Sequence, residues 1–424
     1  MQITTAGLWL KDNFKLYTIG LLIFLFPAFS STIQHSSGLL FYLLVLGGIF
    51  FAAKSIAHLS KQEKIIFSGF LIFFLIMCLS LVNTADMDAG IRKIERYLHF
   101  PLAVFAYLFL RKYQIITINS FVFSLYFASV FLFSVAFYTT NILGQSRAAL
   151  DHYPIIFGDA AILISVLLCA HAVVFHQSRW RLLLSFCMAV LGMYAALASG
   201  SRGAFIVLPF VLVLMWFLYR KQISWKKTLS AIGGIGVVLF LLNLVVTPSP
   251  YERTLKVFKE IEAVNESGSY RSSTGARLTM WQDAITIWKE SPIIGTGMGD
   301  FAHDSKELIE LGKANKRKLY GHAHNIFLDT MVAAGLLGLF CLLLAFFIYP
   351  FYFFYQQFNC RSGEAVFAPL AGLLVITCFF VFGLTEGWMA RNVFVRMYAI
   401  YFLIAMVLVL LQNNGHKKFD HVKD

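Results

Sequence analysis

The stretch SPIIGTGMGDFAHDSKELIELGKANKRKLYGHAHNIFLDTMVAAGLLGL occupies residues 291–339 and joins two kinds of sequence. Its first part is polar and contains a glycine-rich turn at residues 295–299. From Ile326 onward it is a continuous apolar run, and the polar HAHN sequence at residues 322–325 stands directly before that run. Polar side chains at the edge of apolar helices are costly to keep in a membrane, so they mark candidate functional positions.

The composition outside this stretch excludes an ordinary soluble protein. The chain has 424 residues, of which 59% are hydrophobic and only 13% charged, and its mean hydropathy is +0.72. Apolar runs of about 17–25 residues recur along the chain, long enough to cross a hydrocarbon layer of about 30 Å. They are solidly apolar rather than alternating, which favours helices over a transmembrane barrel. The sequence therefore predicts an all-α polytopic membrane protein.

About twelve transmembrane helices are predicted from these apolar runs. Their approximate limits are Leu16–Thr32, Leu39–Ala57, Ile65–Val82, Leu98–Leu110, Thr117–Thr140, Ile156–His176, Leu182–Ala198, Ala204–Tyr219, Leu229–Val246, Ile326–Tyr355, Ala365–Leu384 and Val393–Leu411. Three regions follow: residues 1–246 with spans 1–9, residues 247–325 as one large loop of short helices, and residues 326–424 with spans 10–12 and a tail.

The distribution of Lys and Arg predicts the orientation. One set of connections holds most of these residues, for example Lys61 and Lys64, Arg179 and Arg181, and the tail lysines, so this set is expected to be cytoplasmic. Both termini then lie in the cytoplasm. The loop at residues 247–325 lies outside, in the periplasm of a Gram-negative cell. The same bias explains the excess of 35 Lys and Arg over 22 Asp and Glu without any nucleic-acid partner.

A few cations run against this bias and fall on the outer side. Arg92, Lys93 and Arg96 belong to a short interfacial helix, where they either form local ion pairs or contact phosphates of an anionic acceptor lipid. Arg147 is a lone cation between two spans. Arg202 lies in SGSRGA, an abrupt glycine-flanked break between two apolar runs, which is tolerated where it lines a cavity or packs in protein.

His324 is the candidate proton acceptor at the outer membrane edge, because imidazole is mostly neutral and basic near neutral pH. Asn325 is a candidate N-cap of the tenth span. An alternative is a metal site formed by His322 and His324 with Asp300, His303 or Asp304, but no third ligand has a recognisable spacing. None of the six cysteines lies in the long loop, so a thiolate site there is not predicted.

Arg147, Arg202 and Arg277 all lie outside in this topology and together can hold a diphosphate, which arginine matches with paired hydrogen bonds. The sequence GTGMGD lacks the Lys-Ser/Thr ending of a P-loop. ATP is also absent outside the cytoplasm, so a reaction there needs an activated donor. A lipid-linked sugar diphosphate meets this need, since clustered positive charge stabilises its departing diphosphate.

Four motifs in a fixed order carry a resemblance to a known family. They are Ser199–Ala204 (SGSRGA), TGAR at residues 274–277 with Trp281, PIIGTG at residues 292–297, and HAHN at residues 322–325 with Leu328 and the GLLG run at residues 335–338. In this order, with one large loop before the tenth span, they resemble the O-antigen ligase family. Ala276 separates the glycine from Arg277, whereas the family has them adjacent.

This resemblance implies a GT-C-like, metal-independent, inverting glycosyltransferase that needs no cofactor. The donor would be O-antigen polysaccharide on undecaprenyl diphosphate and the acceptor lipid A–core, at the periplasmic face of the bacterial inner membrane. The catalytic role falls on His324. Diphosphate or substrate binding falls on Arg147, Arg202 and Arg277, with His322 and Asn325 beside them.

Three other functions remain open from the sequence. An O-antigen polymerase would share the donor and the loop but use another lipid-linked glycan as acceptor. A metal-dependent lipid-linked glycosyltransferase would need an acidic ligand, yet residues 30–37 contain no carboxylate and Asp86-Met87-Asp88 is a short, common pattern. A transporter suits twelve spans, but charge inside the spans is scarce, with Asp159 and Arg396 the main examples.

Overall fold

The computed structural model describes residues 5–50, 52–220, 272–314 and 319–420, together with five isolated positions between 233 and 241. The predicted ninth span, Leu229–Val246, and the first part of the predicted outer loop therefore lie outside the described residues. The boundary between the predicted first and second regions falls in the same part of the chain, so that division stays a prediction.

Every regular element in the described part of the chain is a helix. The main helices are α1 (Thr5–Phe29), α2 (Ser36–Ile49), α3 (Lys61–Leu79), α4 (Met87–Tyr97), α5 (His99–Tyr113), α6 (Ile118–Phe137), α7 (Pro154–Val174), α8 (Arg179–Ser199), α9 (Arg202–Phe205), α10 (Val207–Tyr219), α11 (Ser273–Trp288), α12 (Phe301–Glu310), α13 (Ile326–Leu342), α14 (Tyr349–Asn359), α15 (Phe367–Thr385) and α16 (Asn392–Asp420). Shorter helical segments are Ala52–Ser55, Ile56–His58, Ser80–Asn83, Tyr138–Ile142, Leu343–Ile348, Gly363–Val366 and Trp388–Ala390.

Eight helical stretches in the described residues are long and apolar enough to cross a membrane, and two shorter apolar helices, Leu16–Phe29 and Ser36–Ile49, accompany them. The fourth predicted span corresponds to α5, a helix of 15 residues that is shorter than a usual span. An all-helical membrane protein is thus confirmed. The number twelve and the placement of the large loop outside stay predictions.

The centre of the helix bundle consists of α7, α15 and α16. In α7 and α16 89% of the apolar window is buried, against 17% in the stretch formed by α9 and α10. These central helices are apolar on all sides, which suits a helix surrounded by other helices. Trp388 and Tyr398 are fully buried and stack with ring centroids 5.4 Å apart. The chain between α15 and α16 is therefore anchored firmly in the core.

The predicted cytoplasmic connections lie together at one end of the bundle. Arg111 pairs with Glu63 at 3.2 Å, and Arg181 pairs with Glu364 at 3.3 Å. Each pair joins connections that the Lys/Arg bias assigns to the same side. Ion pairs between connections of the same side are expected in a protein that crosses a membrane. Which side faces the cytoplasm stays a prediction.

Helix α13 is interrupted at Gly335, and the segment directly before the glycine-rich turn packs against the interruption. Gly335 has φ +60° and ψ −156°, a conformation that only glycine adopts easily. The backbone N–H groups of Leu336 and Leu337 donate to the carbonyls of Pro292 and Ile293 at 2.9 and 3.2 Å. The predicted tenth span, Ile326–Tyr355, corresponds to the apolar stretch Ile326–Asn359, but this stretch is interrupted at Gly335, where residues 292–293 replace the helix's own hydrogen-bond acceptors.

The same turn also holds helix α4 in place. The Asp300 carboxylate accepts the backbone N–H groups of Ala85 and Asp86 at 2.7 and 2.8 Å. Thr84 Oγ1 donates to the Met298 carbonyl at 3.1 Å. These bonds fix the start of α4 against the segment that leads into the HAHN sequence, so the cations on α4 are brought to the same end of the bundle as His324.

Candidate functional site

The HAHN segment is held at the start of α13 by its own hydrogen bonds. Asn325 Oδ1 caps the helix by accepting the N–H groups of Phe327 and Leu328 at 2.9 and 3.1 Å. Asp329 Oδ1 accepts the Ala323 N–H at 2.6 Å. The His324 N–H donates to His322 Nδ1 at 3.1 Å, and His324 itself has a left-handed φ of 52°. A non-glycine residue in this region is uncommon and signals a constrained site.

Glu386 joins His324 to Arg277. Its Oε2 lies 3.2 Å from His324 Nδ1, and its Oε1 accepts from the Arg277 guanidinium at 3.0 Å. The Glu386 side chain is only 4% exposed, whereas those of His324 and Arg277 are 22% and 26% exposed. A buried carboxylate is stable only when paired, and here two partners share it. The three side chains thus form one unit, in which the imidazole and the guanidinium are partly exposed and the carboxylate is buried.

Electrostatics at this unit favour a charged Glu386 and a neutral His322. Burial acts to raise the pKa of Glu386, but the hydrogen bond from His324 and the charges of His324, Arg277 and Arg391 lower it overall. Burial and the neighbouring charges of His324, Lys93, Arg391 and Arg96 lower the pKa of His322 to about 2. His322 therefore stays neutral, and its Nδ1 acts as a hydrogen-bond acceptor for the His324 backbone.

Arg147 lies close enough to Arg202, Arg277 and Glu386 to be affected by their charges. The Arg147 Nε donates to the Ser199 carbonyl at 2.8 Å, at the last turn of α8. Partial burial and the charges of Arg202 and Arg277 lower the pKa of Arg147, while Glu386 opposes this change. Such mutual effects need short distances between the charges. The structure therefore brings together the three arginines that the sequence analysis proposed for a diphosphate.

The glycine-flanked break before α9 allows Arg202 to reach this position. A Cβ added at Gly203 would lie 2.7 Å from Thr385 Oγ1, so the glycine permits α9 to start against the end of α15. Ser201 Oγ donates to Asp159 Oδ1 at 3.2 Å and ties the break to the centre of the bundle. The break is therefore packed in protein, as its sequence predicts.

The cations of α4 divide into an exposed and an inward-facing group. Arg92 is exposed, while Lys93 and Arg96 are half-buried and act electrostatically on His322. Arg391, half-buried at the start of α16, lies over the Tyr153 ring at 4.3 Å from its centroid. Lys93 and Arg96, two of the three predicted acceptor contacts, thus lie near the histidine pair. Arg92, the third, is exposed.

Asn325 is engaged inside the protein. Its Oδ1 is the helix cap described above, and its Nδ2 donates to the Leu384 carbonyl at 3.1 Å. The expected N-cap is confirmed. A direct contact between Asn325 and a substrate stays a prediction, and the observed bonds indicate that the residue fixes His324 relative to Glu386.

Glu386, Arg391 and Asp329 were missed from the sequence as site residues. The usable signal for Glu386 was its place as the single carboxylate in TEGWMARN, the short polar break between the last two apolar runs. Arg391 stands in the same break. Asp329 was hidden because it lies in the first turn of an apolar helix, where an acidic residue also suits the helix dipole.

No group of three His, Cys, Asp or Glu side chains in the described part of the chain is placed to hold a metal ion. Among the acids considered for such a site, Asp300 uses both carboxylate oxygens for backbone N–H groups, and Asp304 accepts from Thr296 Oγ1 at 2.7 Å. These two acids serve to hold the glycine-rich turn.

Comparison with known proteins agrees with the motifs. Residues 187–343 match the family described as O-antigen ligase. A Haemophilus influenzae protein named as uncharacterized is 26% identical over 398 residues, covering 90% of this chain and 96% of that protein. An Escherichia coli protein named O-antigen ligase is 24% identical over 241 residues, which are 54% of this chain and 51% of that protein. These matches confirm the resemblance and indicate a family of membrane enzymes that transfer lipid-linked polysaccharide.

Proposed function

Taking residues 187–343 as a domain of the O-antigen ligase family, we propose that this protein transfers O-antigen polysaccharide from undecaprenyl diphosphate to a sugar hydroxyl of lipid A–core. The reaction takes place at the periplasmic face of the inner membrane. The observation that carries the proposal is the pairing of Glu386 with both His324 and Arg277 beside two further arginines.

His324 is the general base in this proposal. Its Nδ1–H donates to Glu386 Oε2, which leaves Nε2 as the unprotonated nitrogen. Nε2 takes the proton of the acceptor hydroxyl as the oxygen attacks the anomeric carbon of the donor glycan. The imidazolium that results lies near several guanidinium groups, whose positive charge disfavours it. The Glu386 carboxylate stabilises the imidazolium by offsetting this repulsion. General bases of this kind contribute about 10²–10⁴-fold to a rate.

The arginines stabilise the leaving group. As the new bond forms from the acceptor oxygen to the anomeric carbon, the bond from that carbon to the diphosphate oxygen breaks. Undecaprenyl diphosphate leaves with the bonding electron pair. Arg147, Arg202 and Arg277 neutralise its growing charge, and each guanidinium about 4 Å from a phosphate gains on the order of 4 kcal/mol at an effective dielectric near 20. A single displacement inverts the anomeric configuration.

A reconstituted transfer assay tests the proposal. The purified protein in liposomes receives undecaprenyl diphosphate-linked glycan and lipid A–core, and glycan attached to the core is measured by gel shift. We expect transfer that persists in EDTA. Elongation of glycan on undecaprenyl diphosphate, with none on the core, would instead show a polymerase.

The His324→Ala variant provides the sharpest comparison. We expect core-linked glycan to fall by about 10²–10⁴-fold, because the attacking hydroxyl loses its proton acceptor. His303→Ala is the matched control, since His303 is exposed on α12 and contacts only Asp304 among its described partners. Equal activity of His324→Ala and the wild type would exclude His324 as the base.

A further inference from the structure

Resting on the proposed function, we propose that Lys93, Arg96 and Arg391 form a second anion site, which binds the phosphate-bearing headgroup of the acceptor glycolipid. This acceptor site is distinct from the arginines that hold the donor diphosphate. Its three cations all act electrostatically on His322, next to the candidate base His324.

The residues divide into two groups by their electrostatic neighbours. Arg147 is affected by Arg202, Arg277 and Glu386. Arg96 is affected by Arg92 and Arg391, and Lys93 by Arg96 and Asp329. His322 senses Lys93, Arg96 and Arg391 together. Glu386 is affected by Arg277 from the first group and by Arg391 from the second, so both cation groups lie near the unit formed by His324 and Glu386.

The second group is held rigidly. Asp300 fixes the start of α4 through the backbone of residues 85 and 86, and the Arg391 guanidinium is stacked on the Tyr153 ring. A Cβ added at Gly387 would lie 2.8 Å from His322 Nδ1 and 3.1 Å from Asp329 Oδ2, so the segment before Arg391 is packed directly on the HAHN loop. A preorganised cluster of this kind spends little entropy when it binds an anion.

Few carboxylates within the described residues compensate these cations. The ion pairs found there, with a limit of 4.0 Å, include none of Lys93, Arg96 and Arg391. Asp329, Asp300 and Asp304 attract Lys93 from a greater distance, but Asp329 Oδ1 accepts the Ala323 N–H, and Asp300 and Asp304 accept hydrogen bonds from other groups. Glu95 attracts Arg96, and Arg391 acts on Glu386, whose oxygens are bonded to His324 and Arg277. The three half-buried cations thus have no direct carboxylate partner among the described residues, and an anionic ligand relieves their mutual repulsion.

The opposite face of α4 indicates that this ligand belongs to a lipid. Met87, Ile91 and Leu98 are 47%, 46% and 42% exposed and lie on one side of the helix or at its end. Exposed apolar residues on one face and cations on the other are typical of a helix lying in the membrane interface. Lys93 and Arg96 therefore stand at the level of lipid headgroups, where a phosphorylated glycolipid presents its phosphates and sugar hydroxyls.

Acceptor binding is measured without donor, using the full-length protein in nanodiscs and lipid A–core with or without its phosphates. For Arg391→Gln and for the double variant Lys93→Gln/Arg96→Gln we expect phosphorylated acceptor to bind about tenfold more weakly, the loss of roughly one charge-assisted hydrogen bond. Lys306→Gln, at an exposed lysine that pairs with Glu310 on α12, is the control and should bind as the wild type does. Arg391→Lys should restore part of the affinity.

Several outcomes distinguish this site from its alternatives. Dephosphorylated acceptor should bind equally weakly to the wild type and the variants, and the KM for the donor should stay unchanged. Unchanged affinity of the variants for phosphorylated acceptor would overturn the inference, as would an equal loss of donor affinity. Displacement by inorganic phosphate as effective as by the glycolipid would also overturn it. If the protein shows no transfer activity but its binding of phosphorylated acceptor depends on these cations, the acceptor site is supported and the ligase proposal is wrong.

Discussion

At the scale of single residues, Glu386 determines how the site works. It is nearly fully buried, and each of its oxygens is committed to a different functional side chain. In the proposed mechanism the carboxylate has two roles: it favours the His324 tautomer with a proton on Nδ1, and it holds the Arg277 guanidinium in position. Neither partner would keep its position if Glu386 were replaced by an apolar residue, because each would lose its only described carboxylate contact.

Glu386→Gln keeps the size of the side chain but removes its charge. We expect transfer to fall by about 10²-fold, because the developing imidazolium loses its counter-charge and the amide can leave His324 in the wrong tautomer. The measurement is kcat at saturating donor and acceptor. Glu95→Gln, a substitution on the exposed part of α4, is the control. Activity of Glu386→Gln within twofold of the wild type would argue against the positioning role.

His322 supplies a prediction about pH. A histidine with a lowered pKa is neutral above that pKa, and the pKa of His322 is lowered to about 2 by burial and neighbouring cations. It therefore binds no proton between about pH 5 and 9 and contributes nothing to the pH dependence of transfer in that range. We expect His322→Asn to lower the rate while leaving the shape of the pH–rate profile unchanged. A shifted acid limb would show that His322 titrates.

At the scale of elements, the site depends on the interruption of α13. The apolar run from Ile326 predicts the tenth span, yet the helix is interrupted at Gly335, and the N–H groups of Leu336 and Leu337 donate to carbonyls outside the helix. The break admits the glycine-rich turn, the turn carries Asp300, and Asp300 holds α4. One irregular helix thus connects the candidate base to the cations of the proposed acceptor site.

Gly335→Ala tests this connection. Its φ of +60° with ψ −156° is strained for any other residue, and an added Cβ would lie 2.3 Å from the Ile293 carbonyl. We expect a loss of at least about 1–3 kcal/mol in stability, together with reduced transfer. The thermal unfolding temperature in detergent is the measurement. Gly20→Ala, at a helical glycine with open space around its Cβ position, is the control and should unfold at the wild-type temperature or slightly above.

At the scale of the whole molecule, the described helices form a bundle with two chemically different ends. One end contains ordinary ion pairs such as Arg111–Glu63 and Arg181–Glu364. The other contains an excess of cations around Glu386 and the histidines. A reaction that moves a charged diphosphate and a glycan at a membrane surface needs such an asymmetry, because both substrates are anchored in lipid and present their polar groups at one leaflet.

The predicted orientation can be measured directly. In a variant whose six native cysteines are replaced, a cysteine at Gln145 should react with a membrane-impermeant maleimide in intact spheroplasts. A cysteine at Glu364 should react only after the membrane is permeabilised. The physical reason is the excess of Lys and Arg in the connections at the end that contains the Arg111–Glu63 and Arg181–Glu364 pairs, because such connections are retained in the cytoplasm. The reverse pattern would place the candidate site on the wrong side for a periplasmic reaction.

The amino-acid sequence by itself determined the class of fold and predicted the candidate site residues. Long apolar runs leave the backbone no alternative to helices in a membrane, because each N–H and C=O must be satisfied within its own segment. The few polar interruptions then identified His324 and the arginines, since such residues are retained near a membrane only for a purpose. Asn325 as a helix cap followed from local rules alone, and its two backbone hydrogen bonds confirm it.

Only the tertiary structure decided which of these residues meet. Glu386 is separated from His324 by 62 residues and from Arg277 by 109, so no local pattern connects them. The break in α13 likewise depends on hydrogen bonds that α13 donates to the carbonyls of residues 292–293, whose position is set by packing between helices. An apolar sequence specifies that a helix is buried, but its surface can pack equally well against many different neighbouring helices. The partners are chosen by close packing and by the few buried charges that must find each other.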